Sequence, residues 1–215
     1  MPHVTSVETQ KKNQSRFSIY VDGSFYCGVD EEVLLKYGIK KGLEVGQLEL
    51  EQILQESEIN KVYAKALDYL ARRPRSEREM RDYIRKKVFT YKLSAVEEGD
   101  SAIEQVVDAL ILRLVKLKYI DDREFTRWWI EQRTQKAKPD SLIKIKSELI
   151  KKGISPNLTE SVWKSMGMSS EDLLDKLLEK VKDRYDLSDS KDKKRLVDYL
   201  MRRGYSWADI KPKVA

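Results

Sequence analysis

The sequence predicts a mostly α-helical protein of tandem three-helix, helix-turn-helix-like repeats in an elongated array, behind a small N-terminal domain that contains a β-hairpin. Three observations predict it. Apolar residues fall at helical spacing over most of the chain, an amphipathic helix ending in a basic pair recurs three times, and the segment from Val4 to Val29 alternates as strands do.

In that head, Val4 to Lys11, Arg16 to Val21 and Ser24 to Val29 read as strands. Asp22-Gly23 reads as a two-residue type I′ hairpin turn, which needs positive φ at both positions. Phe17, Ile19 and Val21 alternate with Ser18 and Tyr20, giving one buried and one wetter face. Three short strands do not stand alone, so they are expected to pack on a helix from about Asp30 to Tyr37. From Gln47 to Arg73 the spacing is helical, with a break expected near Ser57 to Asn60. The domains then read as residues 1–58 for the head and 59–119, 120–168 and 169–215 for three repeats.

The stretch Tyr69 to Lys87 is two helices and the turn between them. Pro74 has no N–H with which to continue a helix, and Ser76 with Glu79 forms a capping box that opens the next one. Along that helix Met80, Tyr83, Ile84 and Lys87 share one side, and Arg78, Arg81 and Arg85 recur on the other.

Met80, Ile84, Val88 and Phe89 align with Ile145, Leu149, Gly153 and Ile154, and these with Leu196, Leu200, Gly204 and Tyr205. Each copy carries a basic pair before its end: Lys86-Lys87, Lys151-Lys152 and Arg202-Arg203. Gly153 and Gly204 suit the left-handed residue that closes a helix, and Ser155 before Pro156 and Ser206 before Asp209 then open the next. First helices are expected over Asn60 to Arg73, Asp121 to about Gln135 and Ser170 to about Tyr185. Residues 90–100 read as an extended connection, and Ser101 with Glu104 is expected to open a deeply buried helix ending at Leu117.

Composition narrows the function. Residues 61–92 hold 11 basic and 4 acidic side chains, a net +7 that exceeds the +6 of the whole chain. Residues 1–60 are acidic at −4, so an anionic partner met by one face is implied. Cys27 is the sole cysteine, which excludes an internal disulfide and points to a reducing compartment. No leader or membrane-length apolar run is read, so the expected location is the cytoplasm.

Catalytic chemistry finds no footing: His3 is the single histidine, and neither a phosphate loop nor a dinucleotide glycine pattern occurs. The acidic pair Asp121-Asp122 reads as helix caps. No metal or cofactor is expected. The candidate contact residues are basic: Arg72, Arg73, Arg75, Arg78, Arg81, Arg85, Lys86 and Lys87 in the first repeat, with Arg123, Arg127, Lys144, Lys151, Lys152, Arg202 and Arg203 beyond it. Phe125 and Trp129 share a helical face and are expected to be buried, leaving Trp128 as the partly exposed member of the pair and a further candidate for partner contact. No repeat shows the Asn/Gln/Arg mixture of a base-reading helix, so DNA contact is expected to be weak, to phosphate, and indifferent to sequence.

Tyr69 to Glu77 (YLARRPRSE), Lys118 to Thr126 (KYIDDREFT) and Leu149 to Ile154 (LIKKGI), in that order and spacing, resemble the regulatory protein RecX family. The likeness is fullest over residues 60–160. Lys118 and Val88 stand where the family often has glycine, and residues 90–100 lengthen a connection. The resemblance implies a monomeric, non-enzymatic modulator of the recombinase RecA. Such a protein lies in the groove of the RecA–DNA filament, restrains ATP hydrolysis and strand exchange in DNA repair and recombination within the SOS response, and touches single- and double-stranded DNA only weakly. The alternative is a general basic helical DNA-binding protein that does not depend on RecA.

Overall fold

The computed structural model describes every residue except Lys12, Lys92, Ser94 and Ala215, and of Ala95 and Glu98 the backbone alone. The described residues form two compact units. One comprises Met1–Arg73 with Met80–Leu114, the other Pro74–Glu79 with the chain from Val115 on.

The first unit opens with an antiparallel sheet of β1 (Val4–Gln10), β2 (Asn13–Val21) and β3 (Ser24–Asp30), in that spatial order. Asp22 and Gly23 turn β2 into β3 with φ of 48° and 83°, the double positive φ that a type I′ turn requires. Val21 faces Ser24 across that turn, and register shifts next to Ile19 and in β1 bend the ladder. Ile19 is buried and Phe17 and Val21 pack beside it, whereas Tyr20 meets Phe25 edge-on. Helix α1 (Glu31–Lys36) is capped by the Asp30 carboxylate, which accepts from Val33 N at 2.9 Å.

Helix α2 (Gln47–Leu70) corrects the expected break at Ser57 to Asn60 by running through it. The polar residues that suggested a break have tertiary or local work instead. Ser57 Oγ donates back to Leu54 O at 2.8 Å, and Asn60 Nδ2 donates to Asp30 Oδ2 at 2.9 Å. The first half of α2 puts Leu50 and Ile53 into the core of the sheet, and its second half buries Val62 and Ala66.

Helix α3 (Glu77–Tyr91) buries Met80, Ile84 and Val88 as the periodicity requires. The extended connection expected at 90–100 is corrected: α3 reaches Tyr91, and a one-turn helix, α4 (Ala95–Glu98), follows. Lys92 and Ser94 of that expectation lie outside the described residues. Helix α5 (Asp100–Lys116) starts one residue before Ser101, at Asp100, behind Gly99 at φ 99°, whose carbonyl accepts from Ala102 N and Ile103 N. Ile103, Val107, Leu110, Ile111 and Leu114 are buried, but Leu117 lies beyond the helix and is exposed.

The second unit contains two copies of one three-helix arrangement. The first has α6 (Asp122–Thr134), α7 (Leu142–Lys151) and α8 (Pro156–Ser165), around Phe125, Ile130, Ile145, Leu149, Val162 and Trp163. The next has α9 (Ser170–Val181), a 3-10 turn over Lys182–Arg184, α10 (Ser190–Arg202) and α11 (Trp207–Val214), around Leu174, Leu177, Leu196, Leu200 and Ile210. Gly153 and Gly204 close α7 and α10 at φ of 85° and 87°. Each allows the six-to-one bond of a Schellman end, Ile154 N to Leu149 O at 3.0 Å and Tyr205 N to Leu200 O at 3.2 Å.

Candidate functional site

Two helix starts in the second unit dock on the ends of other helices through the same chemistry. Ser76 caps α3 reciprocally with Glu79: its hydroxyl accepts from Glu79 N at 3.2 Å, and its N–H donates to Glu79 Oε2 at 3.4 Å. The same hydroxyl donates to the carbonyl of Lys152, one residue past α7, at 2.7 Å. Lys152 Nζ closes the contact on Glu79 Oε1 at 2.8 Å while lying over the Trp129 ring.

The repeat offset of 65 residues that relates Met80 to Ile145 also relates Ser76 to Ser141. Ser141 Oγ donates to Gly204 O at 2.5 Å, and Ser141 N donates to Arg203 O at 3.1 Å. Beside it the almost fully buried Asp140 carboxylate accepts from Lys144 Nζ at 2.9 Å and Arg203 at 3.1 Å, with Lys136 at 3.4 Å. Burial alone would raise the Asp140 pKa, but the hydrogen bond and charge of Lys144, with Lys136 and Arg203, outweigh it and hold the carboxyl below its ordinary value.

Acidic pair Asp121-Asp122 is a pair of caps. Asp121 Oδ1 accepts from Arg123 N and Glu124 N at the start of α6, while Asp122 Oδ1 accepts from Glu77 N at 2.8 Å at the start of α3. Burial raises the Asp122 pKa.

The basic candidates therefore divide. Lys144, Lys152 and Arg203 hold helix ends together, and Arg203 also donates to Lys138 O at 3.0 Å. The outward stripe expected of Arg78, Arg81 and Arg85 is corrected for two of its members. Arg81 reaches Asp108 at 2.5 Å, and Arg85 makes a bidentate pair with Glu104 at 2.8 Å on both arms, so α5 supplies carboxylates at the spacing of the stripe.

Arg72, Arg78, Lys86, Arg123, Lys151 and Arg202 are exposed, whereas Arg73, Arg75 and Arg127 are half-buried. Lys87 lies over the rings of Tyr83 and Tyr91. Trp129 is buried and donates from Nε1 to Glu148 at 3.0 Å; Trp128 is half-buried against the same core. Asp140, Ser141, Glu104 and Asp108 were missed as partners of these cations. The 65-residue offset was the available signal for Ser141, but nothing local distinguishes Glu104 or Asp108 from other exposed helix acids.

Among the described residues no group of His, Cys, Asp and Glu could hold a metal ion, and no helix is long and apolar enough to cross a membrane.

The fold and these docked helix ends define a helical repeat protein with a small β-containing head. Residues 2–46 match the regulatory protein RecX N-terminal domain, 63–110 the first RecX three-helix domain and 169–212 the third. The chain is 34% identical to the regulatory protein RecX of Bacillus licheniformis over 96% of this chain and 74% of that protein. It is 32% identical to that of Bacillus subtilis strain 168 over the same shares. A crystal structure of a regulatory protein RecX superposes with a TM-score of 0.67, at 20% identity and 98% coverage of both chains. The protein belongs to the regulatory protein RecX family.

Proposed function

We propose that this protein binds the groove of the RecA–DNA filament and restrains RecA's ATP hydrolysis and strand exchange, in DNA repair and recombination. It acts by binding and not by catalysis, as a monomer in the cytoplasm, with no cofactor. Membership of the regulatory RecX family carries the reading.

The chemistry of the surface supports it. Caps and ion pairs join the start of α3 to the end of α7 and the start of α7 to the end of α10 and consume some of the cations, while Arg72, Arg78, Lys86, Lys151 and Arg202 stay exposed. Those side chains present charge without base-edge donors and acceptors in a fixed pattern, which suits acidic protein surface and phosphate. The test is RecA ATPase on single-stranded DNA with the protein titrated in, and the expected result is a dose-dependent fall. Salt-sensitive DNA binding with unchanged ATPase would favour the RecA-independent DNA-binding alternative.

A further inference from the structure

The first unit carries an aromatic and basic face of which the candidate residues included only Lys87. Tyr69 of α2 and Tyr83 of α3 stack at 4.1 Å between centroids and 3° between planes. Lys87 spans from Tyr83 to Tyr91, 5.3 and 5.6 Å from the two ring centres, and Lys61 lies 4.2 Å above Tyr91. Tyr91 then forms one wall of an open cleft of about 600 Å³ whose other lining includes Arg16, Phe25, Tyr26, Lys61 and Lys65. Two acids, Glu58 and Asp68, also line it, and Asp68 is taken by Lys65 at 2.8 Å.

We propose that this cleft and the tyrosine face beside it take an unpaired nucleic-acid strand, with a base stacked on Tyr91 and phosphates on Lys61, Lys65 and Lys87. Rings set among ammonium groups are the chemistry that holds single strands, because every base offers a π-face and every linkage a phosphate. The lysines now over the Tyr91 ring are on flexible stems. A base entering there replaces an ammonium on the ring, and the ammonium turns to the adjoining phosphate. A duplex offers no free base face, so the preference is for single strands. The inference rests on the reading that this protein works on DNA-bound filaments, and it adds a contact to the strand itself.

The test uses the whole protein without RecA. Fluorescence anisotropy measures binding to a labelled 20-mer of thymidylate and to a 20-base-pair duplex. Tyr91→Leu, with its folding checked by circular dichroism, is expected to weaken single-strand binding roughly 5- to 100-fold while leaving the duplex unchanged. Tyr91→Phe keeps the ring and is expected to bind like the parent. Lys61→Ala with Lys65→Ala is expected to reduce the slope of log affinity against log salt by about 1.4 on the single strand.

A folded Tyr91→Leu variant with parental single-strand affinity overturns the proposal, and so does an equal loss on duplex. An RNA 20-mer bound as tightly as the DNA shows that the site reads the unpaired strand and not the sugar. None of these results decides the RecA reading, which stands or falls on the ATPase of RecA.

Discussion

The hydroxyl of Ser76 donates to the backbone carbonyl of Lys152 at 2.7 Å, across 76 residues of sequence, while accepting from Glu79 N at 3.2 Å. One fully buried oxygen thus satisfies the start of α3 and the end of α7 together. Replacing it leaves a part-buried carbonyl and a part-buried amide without this partner. Ser76→Ala is therefore expected to cost about 1 to 3 kcal/mol in urea unfolding with an unchanged slope. Ser141→Ala removes the equivalent donor to Gly204 and should behave alike. A loss below about 0.5 kcal/mol in both would mean that the shared caps contribute little.

Glycines can separate backbone strain from crowding. Gly42 and Gly153 have nearly the same φ, 84° and 85°, but a Cβ on Gly42 meets open space whereas one on Gly153 falls 2.7 Å from Arg78 Cβ. Gly42→Ala should cost about 1 kcal/mol from φ alone, and Gly153→Ala clearly more. Equal losses would show that the contact with Arg78 gives way freely. The converse site is Lys118, a lysine at φ 59° just after α5, where Lys118→Gly is expected to raise stability by up to about 1 kcal/mol.

Asp140 sets a pH dependence. Its folded pKa is lowered, so the unfolded chain binds the proton more readily than the folded one. Its contribution is complete above the unfolded value of about 3.9 and is lost as pH falls below that toward the folded value. Asp140→Asn should destabilise the protein at pH 7 by about 1 to 3 kcal/mol and flatten the acid limb of the stability profile. Parallel acid limbs in parent and variant would remove Asp140 as the group responsible.

Arg85 and Glu104 form a bidentate pair with both side chains partly exposed, 39% and 46%. Solvent screening holds such a pair to about 1 kcal/mol or less. Arg85→Glu should lower stability by that order, and adding Glu104→Arg should restore most of it. A double variant no more stable than Arg85→Glu alone would show that the two side chains do not interact in solution.

Much of this was legible in the sequence because local chemistry decided it. Asp22-Gly23 turns a hairpin, Ser76 and Glu79 cap a helix, and Gly153 and Gly204 close two more, since few residues meet those backbone demands. The break assigned to Ser57 to Asn60 failed because those side chains bond to Leu54 and Asp30 inside a continuous helix. The arginine stripe was found by its spacing, but periodicity reports which face a residue occupies and not what lies opposite. Arg81 and Arg85 accordingly proved to be paired with α5. Of the tyrosine and lysine face only Lys87 was found, because its members come from α2 and α3 and assemble only when the two helices pack.

RecA ATPase on single-stranded DNA, measured with the parent and with Arg78→Glu, Lys151→Glu and Arg202→Glu combined, tests the central claim most directly. All three side chains are exposed in the second unit, and none belongs to the ion pairs that hold its helix ends. The account predicts a falling ATPase with the parent and a much weaker fall with a variant of parental helicity and melting temperature. Unchanged ATPase at severalfold excess of the parent would contradict it.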